Sequence, residues 1–323
     1  MSDAFKWCFI GTGKLARKVA EQIVASGRHE IVSVYGHSLE KGRAFAEQYG
    51  GVAYDDVAQA MTAEGVQGVY IVTPHNSHYE YAKLAVSLGK DVLCEKPFTT
   101  DAGQTQELIA LAREKGVYLA EAMWTWFAPV AGQVKRWLDG GAFGEIRELE
   151  ISYCVNDSMA FSRLTDPLRA GGALLDIGVY PITYLYRLFG NPTGVVCRGT
   201  VKNGIDTREE VQLTFPDGRT LCAQVAIDDP NGEEKLRIIG SEASLEMGAF
   251  HYANAVELIR SDGSIERFEG DGSMLNEFDR ASEEMRAGKK ESAYVPHQAT
   301  LDVMRIMDEC RRQMGLVYPF EMK

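Results

Sequence analysis

The stretch that decides the fold is "WCFIGTGKLARKVAEQI", residues 7–23. An apolar run ending at Ile10 breaks into Gly11-Thr12-Gly13-Lys14-Leu15-Ala16, and apolar residues then recur at helical spacing. On a strand-to-helix turn, Gly11-x-Gly13-x-x-Ala16 is a dinucleotide fingerprint. The first glycine permits the tight turn, the second lets the backbone approach a pyrophosphate, and the small third residue allows close packing of helix on sheet. Free N–H groups at the helix N-terminus attract the anion. Gly11, Thr12, Gly13, Lys14 and Leu15 are therefore expected to hold a dinucleotide; the alternative is a plain turn.

The context supports the first reading. Up to about residue 122, short apolar runs alternate with amphipathic stretches: "IVSVYG", "LEKGRAFAEQY", "GVYIVT", "HYEYAKLAVSL", "DVLCEK", a helix from Asp101 to Lys115, then "VYLAEAMW". That alternation predicts βαβ units and a doubly wound parallel sheet. After Trp124 the rhythm changes to a helix near Val130 to Leu138, a strand "EIRELEISYCV", and a loop from Asn156 to Ala170. The helical "GALLDIGVYPITYLYRLF" follows, with hairpin turns at "FPDGRT" and "RSDGSI" and a last helix "HQATLDVMRIMDECRRQM". The expectation is an α/β protein: a Rossmann domain over 1–123 and an α+β domain with a mostly antiparallel open sheet over 124–323.

The second strand ends in "VYGHS", without the carboxylate that grips the ribose of NAD. His37 and Ser38 leave room there, and Lys41 and Arg43 are near enough for a 2′-phosphate, so NADP is favoured with NAD possible. Alternatively His37 and Ser38 simply cap the next helix.

Composition narrows the rest. A formal charge of −12 and an isoelectric point near 5.1 argue against nucleic acid, which needs a basic footprint. Six scattered cysteines without a Cys-x-x-Cys pair read as reduced thiols in a cytoplasmic protein. No leader is expected, and no run is long enough to span a membrane. His75 and His78 lack a third ligand at suitable spacing, so no metal is expected.

Lys96, in "CEKPF", follows a predicted parallel strand at the end where open α/β sheets bind ligands, and the proline after it holds its backbone extended. "EKP" (95–97), "TPHNSH" (73–78) and "GGALLDIGVY" (171–180), after the N-terminal glycine turn, resemble the Gfo/Idh/MocA family of nicotinamide-dependent oxidoreductases. Within it, "EAMWTWF" (121–127), "GGALLDIGVYPI" and "GLVYPF" are similar to dimeric dihydrodiol dehydrogenases and NADP-dependent D-xylose dehydrogenases. The resemblance implies that Lys96 acts at the substrate hydroxyl and Tyr180 fills the acid/base position. It also implies that Thr73, Pro74 and His75, with His78, Glu95 and Lys96, belong to the cofactor cleft, and that the C-terminal sheet forms a homodimer.

Chemistry agrees with those roles. Oxidising an alcohol sends hydride to the nicotinamide and the hydroxyl proton to a base; Tyr180 would be that base, helped by the charge of Lys96. Asp176, four residues earlier, would share its helix face and orient Lys96 or the substrate. Trp124, Trp126 and Phe127 either wall a pocket for a sugar or cyclic diol, or, for the last two, pack in the core. Arg163 and Arg169 are further pocket candidates, and relatives with this motif often carry Arg where Trp126 stands. The small-molecule substrate is a sugar, cyclic polyol or trans-dihydrodiol. The alternatives are a reductase of a deoxysugar or dicarbonyl, or a non-catalytic cofactor-binding sensor. A sheet with one uncovered apolar face would favour dimerisation.

Overall fold

The computed structural model describes residues 4–156 and 163–322. The sequence-predicted loop from Asn156 to Ala170 therefore lies in part, over 157–162, outside the described residues. The chain divides into two compact units, Met1–Trp124 with Met274–Leu301, and Thr125–Ser273 with Asp302–Lys323.

In the first unit, β1 (Phe5–Ile10), α1 (Lys14–Ser26), β2 (His29–Tyr35), α2 (Leu39–Tyr49), β3 (Val52–Tyr54), α3 (Val57–Met61), β4 (Gly68–Ile71), α4 (His78–Ser87), β5 (Asp91–Glu95), α5 (Ala102–Lys115) and β6 (Leu119–Ala122) follow in turn. The six strands are all parallel, in the order β3-β2-β1-β4-β5-β6. This is the doubly wound arrangement, with its direction reversing between β1 and β4. Side chains alternate across β1: Cys8 and Ile10 join a fully buried cluster with Val69, Ile71, Ala82 and Leu108, whereas Trp7 and Phe9 point to the other face. Short β3 and α3 add a unit that the hydrophobic pattern did not predict.

In the second unit the elements are α6 (Trp124–Phe127, begun in the first), α7 (Pro129–Asp139), β7 (Ile146–Cys154), α8 (Val179–Phe189), β8 (Gly194–Lys202), β9 (Ile205–Thr214), β10 (Thr220–Ala226), β11 (Glu234–Gly240), β12 (Ala243–Gly248), β13 (Ala255–Arg260) and β14 (Ile265–Glu269). Their eight-stranded sheet runs β14-β13-β12-β11-β7-β10-β9-β8, antiparallel except between β7 and β10. The Asp217-Gly218 and Asp262-Gly263 turns close the β9–β10 and β13–β14 hairpins as expected. Leu164, Ala173, Ile177, Ile205, Val225 and Ile227 form a buried cluster on one face of this sheet. On the other face Glu150 pairs with Lys235, and Arg237 with Glu148 and Glu246. That face carries a ladder of ion pairs, with exposed Val196 and Ile259 among its other residues.

Two helices finish the chain, α9 (Leu275–Arg286) and α10 (His297–Met314). The continuous second domain expected over 124–323 is interrupted, because α9 belongs to the first unit. The reason is a ring: Phe278 packs at 5.2 Å from Trp7, 4.8 Å from Tyr70 and 6.4 Å from Phe9, covering the sheet face that those residues present. Beside it Asp279 accepts from Arg28 and His29. The later part of α10 lies in the second unit, where Gln313 bridges the backbone of Val195 and Cys197 on β8.

Candidate active site

The glycine turn sits where the first sheet reverses direction. Gly11 has φ 119°, and a Cβ there would meet the Val72 carbonyl oxygen at 2.5 Å, so β1 can leave the sheet at this point only with glycine. Gly13 is exposed, and a Cβ there would meet nothing within 4 Å. The N-cap of α1 is Gly13, which has no side chain to cap it, and no acidic residue stands in the first turn, so the turn offers positive helix dipole to an anion. Ala16 is fully buried under the helix. The residues present fit a dinucleotide pyrophosphate.

At the end of β2, His37, Ser38, Lys41 and Arg43 are exposed. Ser38 does cap α2, its Oγ accepting from the Lys41 N–H at 3.4 Å, so the capping reading holds for that residue.

Around β4 and β5 a buried polar strap joins two segments. His78 lies between the carbonyl oxygens of Thr73, 2.8 Å from Nε2, and Pro97, 2.9 Å from Nδ1. Burial pushes this imidazole down to about 4, with His75 and Lys96 adding and the two carbonyls opposing. The ring thus ties the Thr73-Pro74-His75 turn to the Lys96-Pro97 turn. His75 is buried, and its ring centroid is 5.9 Å from that of His78. Lys96 is half-buried and donates its backbone N–H to Glu95 at 3.2 Å, while Glu95 accepts from the Tyr70 hydroxyl at 2.6 Å.

Glu121, on β6, completes this wall. It accepts from the Phe98 N–H at 3.2 Å and the Thr300 hydroxyl at 2.9 Å, and so holds the chain two residues beyond Lys96. Burial pushes its carboxyl up to about 7; Glu95 adds, and Thr300, Phe98 and Lys96 oppose. Its motif was quoted in the sequence reading, but nothing in the spacing marked the carboxylate itself.

In the second unit the helix expected over Asp176 and Tyr180 begins differently. Residues Leu174–Gly178 form a π-turn that runs into α8, so the four-residue spacing is not that of one α-helical face. Asp176 is buried, and Arg163 holds it at two points, Nη1 to Oδ1 at 2.7 Å and Nη2 to Oδ2 at 3.2 Å. The two contacts make a forked ion pair with Arg163, a partner that the spacing did not announce. The preceding double glycine has its own cause. At Gly172, with φ 121°, a Cβ would fall 2.0 Å from Asp206 Oδ1, and Asp206 Oδ2 accepts the Leu174 N–H at 2.5 Å.

Tyr180 is buried among aromatic rings that the sequence reading missed: Tyr153 at 5.8 Å and His251 at 5.2 Å between centroids. Arg169 pairs with Asp166 beside it in the loop, not with Asp176. Trp124 and Phe127 are buried. Trp126 stacks at 6.2 Å on Tyr186, under the guanidinium of Arg187 at 5.5 Å. Among the described residues no three His, Cys, Asp or Glu side chains gather as for a metal ion, and no helix is long and apolar enough to cross a membrane.

An open glycine turn at the switch point of a doubly wound sheet, followed by a Lys-Pro turn at the end of β5, defines a dinucleotide-dependent oxidoreductase. The model of the oxidoreductase family with an NAD-binding Rossmann fold matches residues 5–123, and that of the GFO/IDH/MocA C-terminal domain matches 132–246. The chain belongs to the Gfo/Idh/MocA family, and it is an NAD(P)-dependent oxidoreductase acting on CH–OH groups.

Among its relatives, scyllo-inositol 2-dehydrogenase (NADP(+)) of Bacillus subtilis is 29% identical, with 97% of this chain and 98% of that one covered. D-xylose 1-dehydrogenase (NADP(+)) of Hypocrea jecorina is 27% identical over 97% and 93%. The fold matches that of a 3-ketoreductase from Actinomadura kijaniata, solved with NADP and TDP-benzene, at a TM-score of 0.86 and 24% identity, covering 96% and 98%.

Proposed function

We propose that the chain is an NADP-dependent dehydrogenase of a ring polyol or aldose. The observation that carries this reading is the glycine turn, open above Gly13, which is the N-cap of α1 and has no side chain, at the same sheet end as Lys96-Pro97 in a wall tied by His78 and Glu121. Gly11 to Leu15 hold the pyrophosphate; exposed Lys41, with His37 and Ser38, receives the 2′-phosphate, no carboxylate standing between the end of β2 and Glu40 in the first turn of α2. Thr73, Pro74, His75, Glu95 and Lys96 line the nicotinamide end. Bound nicotinamide supplies the hydride acceptor or donor.

Lys96 places a positive charge at the substrate hydroxyl, and Tyr180 takes its proton; in the reverse direction the pair polarises and protonates a carbonyl. Asp176 and Arg163 fix the turn that carries Tyr180. Trp124 and Phe127 offer apolar surface to the C–H face of the sugar. Two dehydrogenases of an inositol and an aldose, each similar over nearly the whole chain, support the substrate class.

The protein works in the cytoplasm, in keeping with six free thiols, and as a homodimer through the ion-paired face of the second sheet. Sedimentation velocity tests the dimer, and a monomer at micromolar concentration contradicts it. The activity is tested by nicotinamide absorbance with NADP⁺ or NAD⁺ against inositols, D-xylose, D-glucose and a trans-dihydrodiol, with Lys96→Ala as control. NADP⁺-dependent turnover lost in the control is expected; NADP binding without turnover on any of them rejects the dehydrogenase reading.

A further inference from the structure

Behind Tyr180 lies a chain of three polar side chains to which none of the roles above has been given. Glu234 on β11 stands directly opposite Tyr153 on β7 in the antiparallel register. Its Oε1 accepts twice from His251, from the backbone N–H at 2.8 Å and from Nδ1 at 2.6 Å. The other ring nitrogen, Nε2, lies 3.3 Å from the Tyr153 hydroxyl. A carboxylate against Nδ1 places the ring proton there, which leaves Nε2 as the acceptor and the phenol as its donor. The contact to Tyr153 is long, as such bonds often are before substrate binds.

Two of the three groups lie against Tyr180. The Tyr153 and His251 rings stack at 4.8 Å, and Tyr180 lies against both. Tyr153 also senses Tyr180, Asp176, Glu234 and Tyr252 electrostatically, and burial with these neighbours pushes its phenol up, so it stays protonated and passes a proton without storing charge. His251 keeps a side-chain exposure of 14%, enough to exchange with water.

We propose that Glu234, His251 and Tyr153 form a proton relay behind Tyr180, with His251 as its outlet to solvent. The step balances one proton in and one out. As the substrate O–H breaks and a new O–H forms on Tyr180, the original Tyr180 proton passes to the Tyr153 oxygen, whose own proton moves to Nε2 of His251. The resulting imidazolium, held by Glu234, gives a proton to water. This rests on the assignment of Tyr180 above; Tyr153, His251 and Glu234 are positioning residues for it.

The test combines kinetics with a readout that needs no turnover. His251→Phe keeps the ring and removes the nitrogens; Tyr153→Phe removes the hydroxyl. Both are expected to lower kcat by about 10- to 100-fold with KM nearly unchanged, and to enlarge the solvent deuterium effect as proton transfer becomes limiting. Variants that melt earlier but keep kcat, KM, pH profile and isotope effect overturn the relay. Nitrogen-15 NMR of the wild-type holoprotein and apoprotein at pH 8 reads the tautomer directly. A protonated Nδ1 with bare Nε2, and an Nε2 shift altered by Tyr153→Phe, is expected. A proton on Nε2, or no response to Tyr153→Phe, overturns the relay even if no alcohol in the panel is turned over, the outcome that would instead reject the dehydrogenase reading.

Discussion

Arg163 grips both carboxylate oxygens of Asp176 across a π-turn, and Asp176 is buried while the Arg163 side chain is 47% exposed. Removing the guanidinium takes two charge-assisted hydrogen bonds from a buried carboxylate, which costs more than the pair itself contributes. Arg163→Gln is expected to destabilise the protein by on the order of 1–2 kcal/mol, at the low end because the arginine is solvated. It should also lower kcat/KM, because the turn into Tyr180 loosens. Denaturant midpoints and steady-state kinetics check both; an unchanged midpoint would mean that the pair is not formed in solution.

The two glycines of the first turn should fail in different ways. Gly11→Ala puts a Cβ against the Val72 carbonyl in a backbone conformation that alanine resists, so it should destabilise the first unit. A Cβ at position 13 meets no atom within 4 Å among the described residues, so Gly13→Val should leave the melting temperature nearly unchanged, yet it should lower NADP affinity by at least about 10-fold by filling the space where a pyrophosphate approaches. Thermal melts with cofactor titration separate the two. Full affinity in Gly13→Val would place the cofactor elsewhere.

Much of this was legible in the sequence because its causes are local. The glycine turn, α1 from Lys14 to Ser26, the Ser38 cap and the two Asp-Gly hairpins each depend on a few adjacent residues. What escaped depends on pairing between distant segments. Phe278 returns to cover Trp7 from more than 250 positions away, and no periodicity announces which sheet an amphipathic helix will cover. Likewise Tyr153 faces Glu234 only through the β7–β11 register, and His251 reaches both through a short turn after β12. The π-turn before Tyr180 likewise left no mark in the spacing of Asp176 and Tyr180, which reads as that of one α-helical face.

Near neutrality, two groups beside Lys96 pull stability in opposite directions. Glu121 is raised from 4.5 to about 7, so the folded state binds the extra proton in that window, and its contribution falls as pH rises through it. His78 is lowered from 6.5 to about 4, so the unfolded state binds the extra proton, and its contribution falls as pH drops from 6.5 towards 4. In the parent the two partly offset. Glu121→Gln removes the first, so its stability curve should fall more steeply towards acid than the parent's between pH 6.5 and 4.5, measured by denaturant titration at each pH. A parallel pair of curves would contradict the buried state of Glu121.

Glu277 on α9 is fully buried, and neither carboxylate oxygen has a hydrogen-bond partner among the described residues. Burial, then the charge of Glu95, pushes its carboxyl well above the ordinary glutamate range. A group of this kind binds a proton in the folded state that the unfolded chain has already lost, so its cost grows as pH rises above the ordinary value. Glu277→Met keeps the volume and removes both the unsatisfied oxygens and the titration. It is expected to stabilise the protein at pH 8 by on the order of 1–3 kcal/mol, with a smaller gain at pH 5. Denaturant unfolding at the two values decides the matter: a gain that shrinks with rising pH, or a variant weaker than the parent at pH 8, would mean that the carboxylate has a charged partner in solution.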